Sequence, residues 1–286
     1  MELVRELDVD PWFCMPHMAD DHFVRRFAEL VRKTLPADRK VYIEYSNEVW
    51  NSMFEQARFA REKGLALGLS RNEQEAQLRF YAQRSIEIFR IWEDVFGGHE
   101  RLTRVLSSHF ANPWAIETTL SWRDAYQAAD ALALAPYFGR RFGGPAAAPK
   151  IDGWRPERLL DALEEEVTEL LPKMRLAADV ARSRGMQLLA YEAGQHLAGW
   201  AGRQNDAALT SLFLATNRHP RMKPLYQRYL RGWRRNGGGL VMLFSFVSKP
   251  SKWGSWGMFE WQDQPRVQAP KWDAVLELIG EASLRH

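Results

Sequence analysis

The feature that most constrains the fold is the alternation of short apolar runs with longer segments of helical periodicity. Five of the runs, "VYIEY", "RVL", "ALALA", "QLLAY" and "LVMLFSF", are apolar nearly throughout. Strands of a parallel sheet have this character because they are buried on both faces, and strands that alternate with helices predict such a sheet. The sequence therefore predicts an α/β fold, either a closed β/α barrel or an open doubly wound sheet.

Six strands are predicted, at residues 11–16, 41–46, 103–109, 131–138, 186–194 and 239–247. A helix is predicted over 21–34 with Asp20 or Asp21 as its N-cap, and its apolar residues at helical spacing are Phe23, Phe27, Leu30 and Val31. A second helical region, 52–95, is broken near "KGLALGLS". No linker divides the chain, so we expect residues 1–286 to form one domain.

Charge and composition exclude several classes of function. The net charge of +3 is too small to indicate nucleic-acid binding without a basic patch. The candidate patch consists of Arg231, Trp233, Arg234 and Arg235. It precedes "NGGG" and is predicted to be the solvated end of a helix. No run approaches the roughly 20 apolar residues of a membrane span. The N-terminus lacks the apolar core of a secretory signal, and the cellular location stays open.

The single cysteine, Cys14, excludes an internal disulfide and a cysteine-based metal cluster. It lies in an apolar run, so we expect a small buried side chain rather than a reactive thiol. The 12 tryptophans indicate a binding site. Several stand beside loop glycines, where amphipathic rings usually contact a ligand or partner.

Polar residues stand at the carboxyl ends of five predicted strands. They are His17, Asn47 with Glu48, His109, Tyr137 and Glu192. In a β/α barrel these strand ends converge on one face, where the catalytic residues gather. No G-x-G-x-x-G or phosphate-binding loop follows any strand, so the usual nucleotide-binding functions of an open sheet lack support. The pattern favours the barrel.

Two of these residues, Glu48 and Glu192, are glutamates beside aromatic residues. Burial raises the pKa of a carboxyl group, and hydrogen bonds to its ionised form lower that pKa, so two glutamates in different surroundings can be an acid and a nucleophile at one pH. Glycoside hydrolysis needs such a pair. The sequence therefore predicts a glycosidase site.

The segments "EYSNEVWN" and "LLAYEAGQH" resemble the catalytic segments of clan A glycoside hydrolases, which are (β/α)8 retaining enzymes. The resemblance implies that Glu48, at the end of strand four, is the acid/base and that Glu192, at the end of strand seven, is the nucleophile. It also implies that Asn47 hydrogen-bonds the sugar 2-hydroxyl and that Tyr137 keeps the nucleophile ionised. No cofactor is implied, and the expected substrate is a β-linked oligosaccharide or polysaccharide.

Further substrate-binding residues are expected around this pair. A tryptophan that follows strand eight in the clan is expected to form the floor of the subsite for the attacked sugar. Trp256 in "GSWG" is the preferred candidate and Trp253 the alternative. Three histidines are expected to contact substrate: His17, His109 and His196.

The strand count also implies a missing beginning. If 41–46 is strand four, strands one and two have no counterpart, and the chain resembles the last three-quarters of a barrel. An open remnant would expose two apolar sheet edges, which proteins normally cover. We therefore expect either a fragment of a longer protein or completion of the barrel by a second copy.

Two other functions stay open. A metal-dependent barrel hydrolase could use "HMADDH" (His17, Asp20, Asp21 and His22) together with His109, whose side chains suit zinc or manganese. A non-enzymatic carbohydrate-binding protein could keep the aromatic cleft without turnover. Sensitivity to a chelator would identify the first, and substrate binding without hydrolysis the second.

Overall fold

The computed structural model describes residues 1–283 and has an α/β fold. Its six strands are β1 (Trp12–Met15), β2 (Val41–Tyr45), β3 (Leu102–Ser107), β4 (Ala131–Leu134), β5 (Gln187–Ala190) and β6 (Gly238–Val241). They follow one another across the sheet in chain order. The pairs β1–β2, β2–β3 and β3–β4 are parallel. The predicted α/β alternation is confirmed; the strand order is linear in the described residues, and a closed barrel stays a prediction.

Helices separate the strands as the sequence predicts. They are α1 (Glu2–Leu7), α2 (Asp21–Thr34), α3 (Glu55–Ala66), α4 (Glu73–Phe96), α5 (Pro113–Ser121), α6 (Ala148–Ile151), α7 (Pro156–Arg182), α8 (Ala207–Arg218), α9 (Met222–Arg235) and α10 (Pro270–Ser283). Within residues 1–283, no helix combines the length and the hydropathy needed to cross a membrane.

The chain divides into two compact units. Unit 1 contains Met1–Leu134 and Asp179–Leu189, and unit 2 contains Ala135–Ala178 and the described residues from Ala190 onward. The predicted single domain over 1–286 stays a prediction.

The core of unit 1 forms where strands β2 and β3 pack against helix α4, with β4 beside β3 in the sheet. Strand side chains on both faces are buried, including Ile43, Val105 and Leu132 at 0% exposure. Such strands need partners above and below, which is why their sequences are largely apolar. On α4, Tyr81 stacks on Tyr45 with ring centroids 6.0 Å apart.

The core of unit 2 is built around one face of α9. Its buried residues recur at helical spacing: Met222, Leu225, Tyr226, Tyr229 and Trp233. The two tyrosines pack on the ring of Phe138, at 5.8 and 5.0 Å between ring centroids. Their hydroxyls stay hydrogen-bonded, since Tyr229 donates to the Pro136 carbonyl and Tyr226 accepts from the Gln195 amide.

The prediction that Cys14 is buried is wrong, because its side chain is exposed. Neighbouring strand residues point to opposite faces, and in β1 it is Met15 that is buried, at 2% exposure. β1 also stands at the start of the strand order, where β2 is its neighbour in the sheet. The Cys14 sulfur lies 3.8 Å from a carboxylate oxygen of Glu44.

The basic patch lies where the sequence predicts it. Arg234 and Arg235 are exposed in the last turn of α9, and Asn236 is the C-cap of that helix. Arg231 pairs with Glu281 of α10. The arginines are therefore the solvated end of a helix.

Candidate functional site

The end of strand β2 has an unusual backbone. Ser46 and Glu48 both adopt positive φ angles, 61° and 46°, on either side of Asn47. Residues other than glycine avoid this left-handed region because the side chain crowds the next carbonyl oxygen, at a cost of roughly 1–2 kcal/mol per residue. Strain of this kind persists only where surrounding contacts impose it, and it concentrates at functional sites.

Three side-chain amides impose this turn. The Gln56 amide donates to the Asn47 carbonyl at 2.7 Å, and the Gln77 amide donates to the Val49 carbonyl at 2.6 Å. The Asn51 amide donates to the carboxylate of Glu48 at 2.9 Å. Gln77 is 3% exposed, so its hydrogen bond is shielded from water. The three bonds fix the position of the half-buried Glu48 carboxylate.

Aromatic rings surround the strand ends of unit 1. The rings of Trp50 and His109 are 4.5 Å apart, and the ring of His17 meets Phe59 edge to face at 5.3 Å. The Nε2 atom of His17 is buried and has no hydrogen-bond partner among residues 1–283. A buried polar atom of this kind can accept or donate one hydrogen bond to a ligand hydroxyl.

In unit 2, Glu192 follows strand β5 and is half-buried. Its Oε2 atom accepts a hydrogen bond of 3.1 Å from the Tyr137 hydroxyl. The backbone that follows Glu192 is hydrogen-bonded to two other segments. The Ala193 carbonyl accepts from the Phe244 amide, and the Gly194 carbonyl accepts from the Phe138 amide. Gly194 has φ 132°, and a Cβ there would lie 2.9 Å from the Tyr226 hydroxyl, so this position requires glycine.

An aromatic cluster stands beside Glu192. The Trp256 ring lies 5.8 Å from Tyr137, 4.8 Å from His196 and 5.9 Å from Phe244. Burial lowers the pKa of His196 to about 4, so its ring is neutral at neutral pH. Its Nδ1 atom is buried and unpartnered within the described chain. A half-buried indole face beside neutral polar groups suits the apolar C–H face and the hydroxyls of a sugar ring.

The two tryptophan candidates differ in their surroundings. Trp256 is half-buried against the cluster, whereas Trp253 is 61% exposed. The Trp256 indole N–H donates to the Trp253 carbonyl at 3.0 Å, which fixes the edge of the ring. Gly254 separates the two at φ 126°, and a Cβ there would overlap the Trp256 ring at 2.5 Å.

The residues proposed for a metal site have other contacts. Asp20 caps α2 by accepting from the Phe23 amide, and Asp21 pairs with Arg84. Within residues 1–283, no group of three or more His, Cys, Asp or Glu residues is arranged to hold a metal ion.

Sequence reasoning missed several residues that build these regions. They are Gln56 and Gln77 in unit 1 and Gln195 and Lys271 in unit 2, whose contacts join residues far apart in the chain. Glu44 was also missed, although a charged residue inside "VYIEY" was a visible signal. Its side chain is fully buried and its Oε2 accepts from the Trp12 indole at 3.0 Å.

No family model matches the chain, and no curated protein matches it. Among solved structures, it is similar to the monomer structure of a hyperthermophilic beta-glucosidase mutant that forms a dodecameric structure in the crystal form, at 14% identity and a TM-score of 0.39. The match covers 84% of this chain and 56% of that one, so this chain spans little more than half of that protein's length. A TM-score of 0.39 is too low to establish a common fold.

Proposed function

We propose that this chain is a retaining glycoside hydrolase acting on β-linked glycans, with Glu48 as the acid/base and Glu192 as the nucleophile. The observation that carries the proposal is that both glutamates follow strands of the sheet, are half-buried, and accept a side-chain hydrogen bond, from Asn51 and Tyr137 respectively. Double displacement at a sugar uses two carboxyl groups, and β/α barrel enzymes carry their catalytic residues at strand ends.

In the first step, Glu192 attacks the anomeric carbon and Glu48 gives its proton to the departing oxygen. A glycosyl-enzyme ester forms and the glycosidic bond breaks. In the second step, Glu48 takes a proton from water, which displaces Glu192 and restores the original anomeric configuration. Both carboxyl groups return to their starting protonation states.

Surrounding residues support each step in this proposal. The Tyr137 hydroxyl donates to the ionised form of Glu192 and favours that form. Asn47 binds the 2-hydroxyl, where hydrogen bonds strengthen in the transition state. Trp256 carries the attacked sugar, and His17, His109 and His196 contact its hydroxyls. A second copy of the chain is proposed to complete the barrel unless the chain belongs to a longer protein.

The test is hydrolysis of a panel of phenyl β-glycosides, whose leaving group needs a proton, by the wild type, Glu48→Gln and Glu192→Gln. Each variant should lose at least about 10²-fold in kcat/KM, since general-acid help alone contributes 10²–10⁴-fold. Glu55→Gln and Glu165→Gln are matched controls, because both side chains are exposed, and they should keep wild-type activity. Proton NMR of the first product should show retained configuration.

Two results would contradict the proposal. If the wild type turns over but neither glutamine variant loses more than about tenfold, another mechanism operates. If the wild type binds oligosaccharides without cleaving any glycoside on the panel, the chain is a carbohydrate-binding protein.

A further inference from the structure

A buried lysine lies directly behind the Trp256 loop in unit 2. Lys271 belongs to the first turn of α10 and is 2% exposed. Its Nζ donates to the Ser255 carbonyl at 2.7 Å and lies 3.4 Å from the Trp256 carbonyl. Lysine is rarely buried to this degree, and a buried ammonium group needs oxygen acceptors to offset the loss of water.

The same peptide also accepts a hydrogen bond from the segment that carries Glu192. Gln195, which is 1% exposed, donates to the Ser255 carbonyl at 2.7 Å. The Ser255 oxygen therefore accepts from two donors, one on α10 and one on the segment that follows β5. The backbone of Trp256 is fixed again by the Ser245 amide, which donates to the Trp256 carbonyl at 3.1 Å.

The orientation of the Trp256 ring depends on where these hydrogen bonds hold the Ser255 and Trp256 carbonyls. The ring meets its neighbours edge to face, at 70° to Tyr137 and 87° to His196. Its indole N–H donates to the Trp253 carbonyl of the same loop, so the angle of the ring follows the position of the loop backbone. The carbonyl groups held by Lys271 are adjacent to the Cα from which this ring projects.

Among the residues that the structure describes, no carboxylate forms an ion pair with Lys271 alone. Glu260 attracts it, but both Glu260 oxygens accept from Arg218 of α8. Asp273, two residues further along α10, is paired with Lys223 of α9 and with Arg266. Burial therefore dominates and lowers the pKa of Lys271 to about 7.

We propose that Lys271 is a positioning residue, which holds the Ser255–Trp256 peptide and thereby sets the angle of the Trp256 ring beside Glu192. The role of that ring as a sugar platform rests on the proposed function, whereas the coupling between Lys271 and Trp256 does not. Because the amine can lose its proton near neutral pH, the coupling also makes the ring sensitive to pH in that range.

The test uses the full chain labelled with 5-fluorotryptophan and followed by fluorine NMR. The Trp256 resonance is assigned by its absence from Trp256→Phe. In the wild type it should shift with a midpoint near pH 7, where Lys271 loses its proton. His196 does not interfere, because its pKa is about 4.

Lys271→Met should move the Trp256 resonance and remove its shift between about pH 5.5 and 9. Lys249→Met is the matched control, since Lys249 is exposed in the preceding loop, and it should titrate as the wild type does. In an active enzyme, Lys271→Met should raise KM roughly 3- to 10-fold with little change in kcat, as expected for loss of an oriented ring.

The coupling is overturned if the Trp256 resonance in Lys271→Met keeps its wild-type position and titration. If Lys271→Met does not fold, the wild-type titration decides alone, and a resonance without a transition between about pH 5.5 and 9 contradicts the proposal. These readouts need no turnover. A failure of the glycosidase assay with a normal titration would count against the proposed function and leave the coupling intact.

Discussion

Glu48 and Glu192 are the same residue type after strands of one sheet, yet they are held in different ways. Glu48 has a left-handed backbone at φ 46° and accepts from Asn51, three residues later. Glu192 accepts from Tyr137, which is 55 residues earlier in the chain, and stands beside the Trp256 cluster. The position of the Glu48 carboxylate depends on a strained turn that side-chain amides hold by hydrogen bonds. The position of the Glu192 carboxylate depends on side chains from distant parts of the chain.

The difference matches the work proposed for each residue. An acid/base must exist as both the neutral and the charged carboxyl, so donors that favour the charged form help only one of its two states. A nucleophile must be ionised before it attacks and again when water displaces it, and a phenol that donates to the charged form favours that state. The surroundings of Glu192 should therefore affect chemistry strongly, and those of Glu48 should chiefly affect the position of the turn.

The largest expected effect comes from comparing leaving groups. Removal of Glu192 should lower kcat/KM by roughly 10⁴-fold on every aryl glycoside, as removal of an essential catalytic group does. Glu48→Gln should lose that much only on poor leaving groups, because a 2,4-dinitrophenolate departs without a proton. Kinetics on 2,4-dinitrophenyl and phenyl glycosides measure both. Equal losses for both variants on both substrates would abolish the distinction between the two glutamates.

A smaller effect should separate the two hydrogen-bond donors. Tyr137→Phe should lower kcat/KM by about 10- to 100-fold, because a hydrogen bond to a charged group is worth roughly 1.5–3 kcal/mol. Asn51→Ala should lower kcat/KM by a smaller factor, because Glu48 is uncharged during part of the catalytic cycle. Steady-state kinetics with one substrate compare them. A larger loss for Asn51→Ala than for Tyr137→Phe would reverse the comparison.

The contribution of the buried Gln77 amide to the strained turn can be tested by substitution. Gln77→Leu leaves the Val49 carbonyl without its donor and should lower the free energy of unfolding by about 1–3 kcal/mol. Gln74→Leu is the control, because Gln74 lies one turn earlier on α4 and is exposed. Urea denaturation measures both. Equal stability of the two variants would show that the turn holds without its amide.

The smallest expected effect concerns pH and the Glu192 region. Burial lowers the pKa of His196 from 6.5 to about 4. Between pH 6.5 and about pH 4, His196 is therefore protonated in the unfolded chain and neutral in the folded chain. The contribution of His196 to stability is therefore present above pH 6.5 and is lost as the pH falls towards 4.

On acidification the wild type should lose more stability than His196→Phe, by on the order of 1 kcal/mol for a half-buried ring. Urea denaturation at several pH values between these limits measures the difference. His99→Phe is the control, because His99 is exposed, and it should follow the wild type. Parallel curves for wild type and His196→Phe would show that the ring is hydrated in the folded protein.

Local signals in the sequence were reliable where neighbouring residues decide the structure. Helix α2 begins and ends where the periodicity of 21–34 predicts, and Asp20 caps it. The break in 52–95 is the gap between α3 and α4, where Asn72 caps the second helix. Capping and helical periodicity depend on residues within one turn, so they can be read without knowing the fold.

The burial of individual side chains was predicted less well, because it depends on which other elements pack against each face of a helix or strand. Phe23 and Leu30 lie on the predicted apolar stripe of α2 but are 46% and 56% exposed. The smaller Val24 and Ala28 are fully buried instead. Cys14 failed in the same way, since strand alternation gives two faces and the partner of each face is set by packing.

The sequence by itself determined the α/β alternation and the polar residues that follow the strands, because both follow from periodicity and chain order. Only the tertiary structure decided how those residues are held. Gln77 reaches a carbonyl 28 residues away, and Gln195 reaches one 60 residues away. Such bonds exist only after separate elements have packed, because a side chain finds its partner through the position of the whole element and not through its own type.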